Sequence, residues 1–484
     1  MLERFIFRRD DDNAFPDADT TTSEAPTSII TTASGTTTFD ASFRIAFVLA
    51  EPPLVSRLYA QLPEFPGPDK QVPLAVLASH RHLVLLRVGI EIPTCDILQD
   101  LFVYDSATVA AHGNNPSSSS SSSSTSILKR LPTCTKPMFI NFNNAARPNS
   151  SRRRWRRATP AAPPAEEEKK RRLLAIKSLG IVCRRGEEEE FAVAELQLWK
   201  PNHSVSSCIS VHSRTSSSPS CSTTVVLPGE WKSVRVPILL TNGGEHSAAV
   251  DDDAWQLSMW QTDAVIPFNG RYLCWVDYFR GILLCDLFTN PATAPAVFFI
   301  RFPLHEFPST PNRSKACSWF YRCATAVDDE DTTLKFVDVA RDDGIGFGPL
   351  KPGAWFTVTG HTLRLSSGDD NNNKMVWSKD YTVISDELWA ANPGDERLPR
   401  EILMFPQVNM HRPHVVQFLI VEFGFVRKKM WVVAIDMTTK IVESFYRHIN
   451  GREDRGTVDA DFTQEKSSSP SAFLPCQFSK FLQP

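Results

Sequence analysis

The chain has 484 residues, 42% of them apolar, and a formal net charge of −3. That length admits two or more domains of about 100–200 residues or one large all-β unit, and the near-neutral charge excludes a chain-wide electrostatic footprint for nucleic acid. The 35 prolines, 31 phenylalanines and 11 tryptophans suit many short strands joined by turns, and exclude an architecture of long helices.

At the N-terminus, MLERFIFRRDDDNAF breaks its apolar patch with charges almost at once. A secretory h-region needs about 7–15 uninterrupted apolar residues, and no run approaches the roughly 18 of a membrane span. The expectation is an intracellular protein, in cytoplasm or nucleus, that engages no membrane. There the ten cysteines would be thiols, and the sequons at Asn149, Asn202 and Asn312 would never meet the glycosylation machinery. Residues 10–38 are acidic and then threonine-rich, with little to bury. Residues 1–40 are therefore expected as a disordered tail ahead of a single domain over 41–484.

The first predicted packed element is SFRIAFVLAEPP, a β-type run ended by Pro52 and Pro53. Leu83–Val88 and Leu101–Asp105 follow, both short and rich in branched or aromatic residues. Disordered insertions are expected at 106–126, which holds the unbroken serine run Ser117–Ser124, at 145–172 and at 450–470. Between such breaks, WQTDAVIPF, RYLCWV, GILLCDL and VFFIRFPL read as four strands. Together they span about forty-five residues, the content of one β-propeller blade. Gly281 stands where a hairpin loop after Asp277–Arg280 needs a positive φ.

An apolar strand running into an aspartate recurs at Asp105, Asp286, Asp338 and Asp436, irregularly spaced, as in a repeat carrying insertions. The expected fold is mostly β and β-propeller-like, with about six irregular blades and long disordered insertions. Pairing of the N-terminal strand with the C-terminal SAFLPCQFSKFL would close it and remove the exposed sheet edges. A pair of β-sandwich-like domains would give the same strand density.

The segments FRIAFVLAEPP, LVLLRV with DLFVYD, GIVCRRGEEEEFAVAELQLWKP, WQTDAVIPFNGRYLCWVDYFRGILLCDLF and FIRFPL together resemble the plant family catalogued as domain of unknown function 1618, expanded in grasses. CWVDYFRGILLCD is the most specific part of the resemblance, which runs from about Phe43 onward. The hairpin is also similar to the repeat unit of kelch and F-box-associated propellers. No F-box-like helical segment precedes it, so a ubiquitin-ligase adaptor role does not carry over. The resemblance implies no activity and no catalytic residues.

Residue by residue, the attractive chemistries are weak. If Val276 faces Gly281 across the hairpin, Cys274 and Cys285 are diagonal neighbours with Cβ atoms up to about 7–8 Å apart, too far for a disulfide; a one-residue shift puts them on opposite faces. Both are expected as buried small hydrophobes. Cys317 and Cys323 lack a second close pair to complete a tetrahedral metal site. The imidazoles of His80 and His82, or of His411 and His414, offer at most half of one. GIGFGPLKPG has neither a dinucleotide fingerprint nor a Walker lysine and is expected as a plain turn. Asp277 and Asp286 are expected to cap turns, so Asp277→Ala should cost about 1 kcal/mol or less. No catalytic, cofactor-binding or metal residues are assigned, and no cofactor is expected.

The basic insertion is the exception. Arg152, Arg153, Arg154, Arg156 and Arg157 form one cluster, and Lys169, Lys170, Arg171 and Arg172 a second, eleven residues on. That spacing fits an extended nuclear-import signal, with an import receptor as partner, although such runs match widely; a solvated loop is the plain alternative. The expected function is a non-enzymatic protein-interaction scaffold. The alternatives are an enzyme with a site at the channel mouth, built from histidines and aspartates of separate blades, and a nuclear factor using the basic insertion.

Overall fold

The computed structural model describes residues 1–13, 15–16, 29–50, 55–65, 73–91, 97–106, 128–134, 173–184, 190–199, 206–214, 231–240, 247–288, 296–304, 318–327, 333–365, 375–394, 398–421, 430–449, 473–474 and 476. Strands β1 (Leu2–Arg8), β2 (Ile29–Thr36), β3 (Ser42–Leu49) and β4 (Ser56–Gln61) form a first sheet in the order β2-β3-β4-β1. The second sheet runs in chain order through β5 (Leu74–His80), β6 (Leu83–Glu91), β7 (Ile97–Asp105) and β8 (Leu128–Arg130). The third does the same with β9 (Leu179–Cys183), β10 (Phe191–Trp199), β11 (Ser206–Arg214) and β12 (Lys232–Val236).

The fourth sheet opens with β13 (Ile238–Leu240) and helix α1 (Ser247–Ser258), then runs through β14 (Ala264–Phe268), β15 (Tyr272–Asp277), β16 (Gly281–Asp286) and β17 (Val297–Arg301). Here β13 pairs parallel to β17, outside the four-strand meander. Helix α2 (Ser318–Tyr321) leads into the fifth sheet, β18 (Arg322–Ala326), β19 (Thr333–Arg341), β20 (Phe356–Leu365) and β21 (Met375–Ile384). Helix α3 (Ser385–Ala391) leads into the sixth, β22 (Met404–Val408), β23 (Val415–Val421), β24 (Met430–Asp436) and β25 (Val442–Ile449). Last, β26 (Phe473–Leu474) returns to β1, pairing Leu2 with Leu474 and Glu3 with Phe473. The four strands expected in the central blade are β14 to β17.

An isolated antiparallel sheet with one wet face alternates apolar and polar residues. These strands do not: β15 reads YLCWVD, β16 GILLCD and β23 VVQFLIV, all nearly continuously buried. The reason is that each sheet is covered on both faces by its neighbours. Leu273, Trp275, Leu283 and Cys285 pack with Val182, Ala192 and Ala194 of the third sheet. From the other face, Cys274, Val276, Ile282 and Leu284 pack with Ala324, Leu334 and Phe336 of the fifth. The second sheet is likewise shared between the first, through Phe47, Val84 and Tyr104, and the third, through Leu85, Val103 and Ile181. The sixth sheet's core takes in Val337 and Phe356 on one side and Val55 and Phe473 on the other. The innermost strands lie side by side in the sequence β1, β5, β9, β14, β18, β22. Sheets stacked face to face around an axis, and closed by both ends of the chain, are a β-propeller.

Four expectations are corrected. Residues 1–40 are not a tail throughout, because β1 and β2 lie inside them. The threonine-rich β2 pairs with β3 from Ile29↔Leu49 to Thr36↔Ser42, and threonine, being β-branched, suits a strand. The hairpin register is one residue off: Asp277 faces Gly281, Trp275 faces Leu283 and Cys274 faces Leu284. The loop is therefore the three residues Tyr278, Phe279 and Arg280, and Cys274 and Cys285 lie on opposite faces of the sheet. Asp338 is not a strand end; it sits within β19, where Arg322 Nε donates to its Oδ1 at 2.7 Å. GIGFGPLKPG is more than a plain turn, as described below. Of the predicted insertions, only Ser106 is within the described residues; 107–126, 145–172 and 450–470 lie outside them.

Candidate functional site

The innermost strands bring residues far apart in sequence onto the axis. Arg4 from β1, Ser79 and His80 from β5, Tyr278 from the β15–β16 turn, Thr325 from β18 and Gln407 from β22 line one cavity. Its free space is about 60 Å³, room for a few waters or a small ion and far below the about 300–1,000 Å³ of a drug-sized ligand site. Arg4 also lines a second chamber of about 230 Å³, beside Leu77, Lys177 and Asp263. It thus stands between two compartments on the axis.

Most of the polar groups here are engaged by the scaffold. His80 Nδ1 accepts the Cys183 backbone N–H at 2.8 Å, tying the second sheet to the third. The Tyr278 amide donates to Asp263 Oδ2 at 2.9 Å, and its carbonyl accepts from Arg322 Nη1 at 2.8 Å. Burial pushes the Tyr278 hydroxyl's pKa well above the ordinary phenol value, helped by neighbouring Cys323 and Asp263. Cys323 Sγ lies 3.2 Å from Thr325 Oγ1. Some atoms are different: Arg4 Nε, Ser79 Oγ and Gln407 Oε1, for instance, are shut from solvent and make no hydrogen bond. Burial lowers the pKa of Arg4, since its charge is desolvated there.

The opening of the hairpin is scaffold, as its sequence implied, but by stronger means. Asp277 is wholly buried and Arg280 is 1% exposed. Arg280 Nη1 donates to both carboxylate oxygens at 3.0 and 3.3 Å, while the Gln261 and Phe279 amides donate to the same group at 2.8 and 3.0 Å. Gly281 has φ 158°, and a Cβ there would come within 2.2 Å of the Ile300 carbonyl oxygen, so the turn closes only with glycine. Trp275 is fully buried and its Nε1 donates to the Ser178 carbonyl at 2.8 Å. Asp286 sits at the far end of the hairpin opposite Tyr272, so the two aspartates are no acid/base pair.

The strand-ending aspartates share one geometry at three of the four positions. Asp105, Asp286 and Asp436 each end the third strand of a meander and each faces a basic residue just ahead of, or opening, the second strand. His82 Nε2 lies 3.7 Å from Asp105, His414 Nε2 lies 3.9 Å from Asp436, and Arg271 Nε pairs with Asp286. Asp286 and Asp436 also cap the following turn through the Phe288, Thr438 and Thr439 amides. His411, whose amide donates to Asn409 Oδ1, lies in the turn before β23. The histidines are thus placed apart, with only His80 lining the axial cavity among the described ones. Among the described residues no cluster of three or more His, Cys, Asp or Glu could hold a metal. Cys317 and both basic clusters, Arg152–Arg157 and Lys169–Arg172, lie outside the described residues.

Sequence reasoning missed the β19–β20 loop. Arg341 donates to Asp343 through Nε and Nη2 at 2.9 and 2.7 Å, to Tyr321 Oη at 3.0 Å, and to the Gly348 and Pro349 carbonyls at 2.8 and 2.9 Å. Asp343 also receives the Ile345 amide at 3.1 Å and the Lys351 amide at 3.3 Å. The Arg341 guanidinium holds the Asp343 carboxyl down at about 2 against an ordinary 3.8. Gly348, at φ 128°, supplies the backbone conformation that aims its carbonyl at Arg341. On this frame Phe347 and Trp355 stay 41% and 43% exposed, and Phe347 lies against Phe320 with ring centroids 4.9 Å apart. The available signal was an arginine two residues before an aspartate, ahead of glycines and prolines; its pairing depends on the fold.

Among the described residues no helix is long and apolar enough to cross a membrane. A comparison with curated proteins finds no match. Residues 275–417, from the buried tryptophan of the central hairpin into the sixth sheet, match the family described as protein of unknown function (DUF1618).

Proposed function

We propose that this chain is a non-enzymatic protein-interaction scaffold. The observation that carries the reading is the β19–β20 loop, where a saturated Arg341–Asp343 pair holds Phe347 and Trp355 in solvent. An aromatic kept exposed on a preorganised backbone costs little entropy to bind and desolvates a large area, which is how interface anchors work. A channel-mouth enzyme has less support. His80, His82 and His414 each engage a scaffold group at a different place, and the axial cavity that His80 lines has room for little more than a few waters or a small ion. Arg152, Arg153, Arg154, Arg156, Arg157, Lys169, Lys170, Arg171 and Arg172 are proposed as an import signal that would deliver the scaffold to the nucleus. The test of the scaffold is cross-linking in native extract with the wild-type chain and with Phe347→Ser/Trp355→Ser. The expected result is a defined set of cross-linked proteins lost from the double variant, whose unfolding midpoint stays near wild type. An unchanged set would remove this loop as the docking surface.

A further inference from the structure

We propose that the axial cavity is a binding site for a small tetrahedral oxyanion of the phosphate class, held by Arg4 with Ser79 and Gln407. Solvent-shielded atoms without hydrogen bonds line this cavity from three different sheets, among them Arg4 Nε, Ser79 Oγ and Gln407 Oε1. A buried cation is ordinarily paired, since the desolvation cost is otherwise uncompensated. Among the described residues Arg4 has no ion-pair partner and its Nε no hydrogen bond, although Arg8, Arg280, Arg301, Arg322 and Arg341 all find carboxylates. Its guanidinium presents a planar fork of donors suited to an oxyanion.

The rest of the cavity narrows the ligand. Ser79 adds a hydroxyl donor, whereas Gln407 Oε1 offers an acceptor. An oxyanion that still carries one proton satisfies all three groups, which favours hydrogen phosphate over sulfate. The free space of about 60 Å³ admits an ion of that size and not an ester with a bulky leaving group. This inference is independent of the β19–β20 loop, because it uses none of that loop's residues.

Isothermal titration of the full chain with inorganic phosphate, at constant ionic strength set by chloride, tests it. Saturable one-site binding is expected, with sulfate weaker by about tenfold, the worth of one hydrogen bond to a charged group. Arg4→Met, which keeps the length and removes the charge, should abolish the heat while the protein retains a cooperative unfolding transition. Should Arg4→Met fail to fold, Ser79→Ala serves instead and should weaken phosphate about tenfold. Absence of saturable binding to the wild type, or equal binding by a folded Arg4→Met, would overturn the proposal. Equal affinity for sulfate would overturn the role given to Gln407.

Discussion

Replacing Asp277 with alanine separates what the hairpin's sequence implies from what its fold imposes. As a turn cap, the carboxylate would be worth about 1 kcal/mol or less. In the structure the same carboxylate is wholly buried beneath an arginine that is 1% exposed, and it also satisfies the Gln261 and Phe279 amides. Asp277→Ala therefore leaves a buried guanidinium without its counter-charge, which costs about 3–5 kcal/mol, with the two stranded amides pushing toward the upper end. Asp277→Ala/Arg280→Met removes both charges and should recover about 2 kcal/mol of that loss, because a buried pair can be replaced by apolar side chains at little cost. Urea unfolding followed by tryptophan fluorescence gives both values, provided the slope with denaturant is shared by all variants. A single variant within about 1 kcal/mol of wild type, or a double variant no better than the single, would refute the reasoning.

Other perturbations follow from the same contacts. Trp275→Ala should cost about 3–5 kcal/mol in the same assay, since a fully buried ring is removed and the Ser178 carbonyl loses its donor. An unchanged unfolding midpoint would mean that the ring is not core. Cys134, Cys183, Cys274, Cys285, Cys323 and Cys476 form no disulfide, and burial raises the pKa of Cys274, of Cys285 to about 12 and of Cys323 to about 11. These three should resist iodoacetamide at pH 8 in the native state and react once denatured, as read by mass spectrometry. The Asp343 carboxyl is depressed from 3.8 to about 2, so its contribution to the loop is complete above pH 4 and is lost as pH falls toward 2. Trp355 fluorescence should report that loss between those values, and Asp343→Asn should flatten the transition. Deleting residues 149–172, or replacing their arginines by alanine, should shift a fluorescent fusion from nucleus to cytoplasm; an unchanged distribution would leave the insertion without an import role.

The parts of the fold legible in the sequence are those fixed by local pattern. Four strand-like runs in a row gave the central sheet, and an aspartate ending a strand gave the repeat. Charge misled where burial overrode it. Glu3 is completely buried within β1, yet LERFIFR reads as a solvated start. The hairpin register differs by one residue from the four-residue loop read from the sequence: Asp277 belongs to the strand opposite Gly281, and its carboxylate binds Arg280 and the Gln261 amide. The axial cavity was illegible for a different reason: Arg4, Ser79, Tyr278 and Gln407 become neighbours only when all the sheets stack around one axis.

The recurring aspartate shows why a repeat can stay recognisable while its spacing drifts. At Asp105, Asp286 and Asp436 the side chain bridges the end of a third strand and a basic group near the start of the second, His82, Arg271 or His414. Those two positions are adjacent in space because second and third strands are antiparallel neighbours, whatever the length of the loops elsewhere in the sheet. Insertions in the loops leave that contact untouched, since loop closure costs grow only slowly with length. The partner varies between histidine and arginine, either of which sets a basic group near the aspartate, and at Asp286 and Asp436 the other oxygen caps a turn through the Phe288 and Thr438 amides. Asp338 lies outside the pattern because in the fifth sheet the apolar run KFVDVA is the second strand, where the aspartate meets Arg322 of the innermost strand instead.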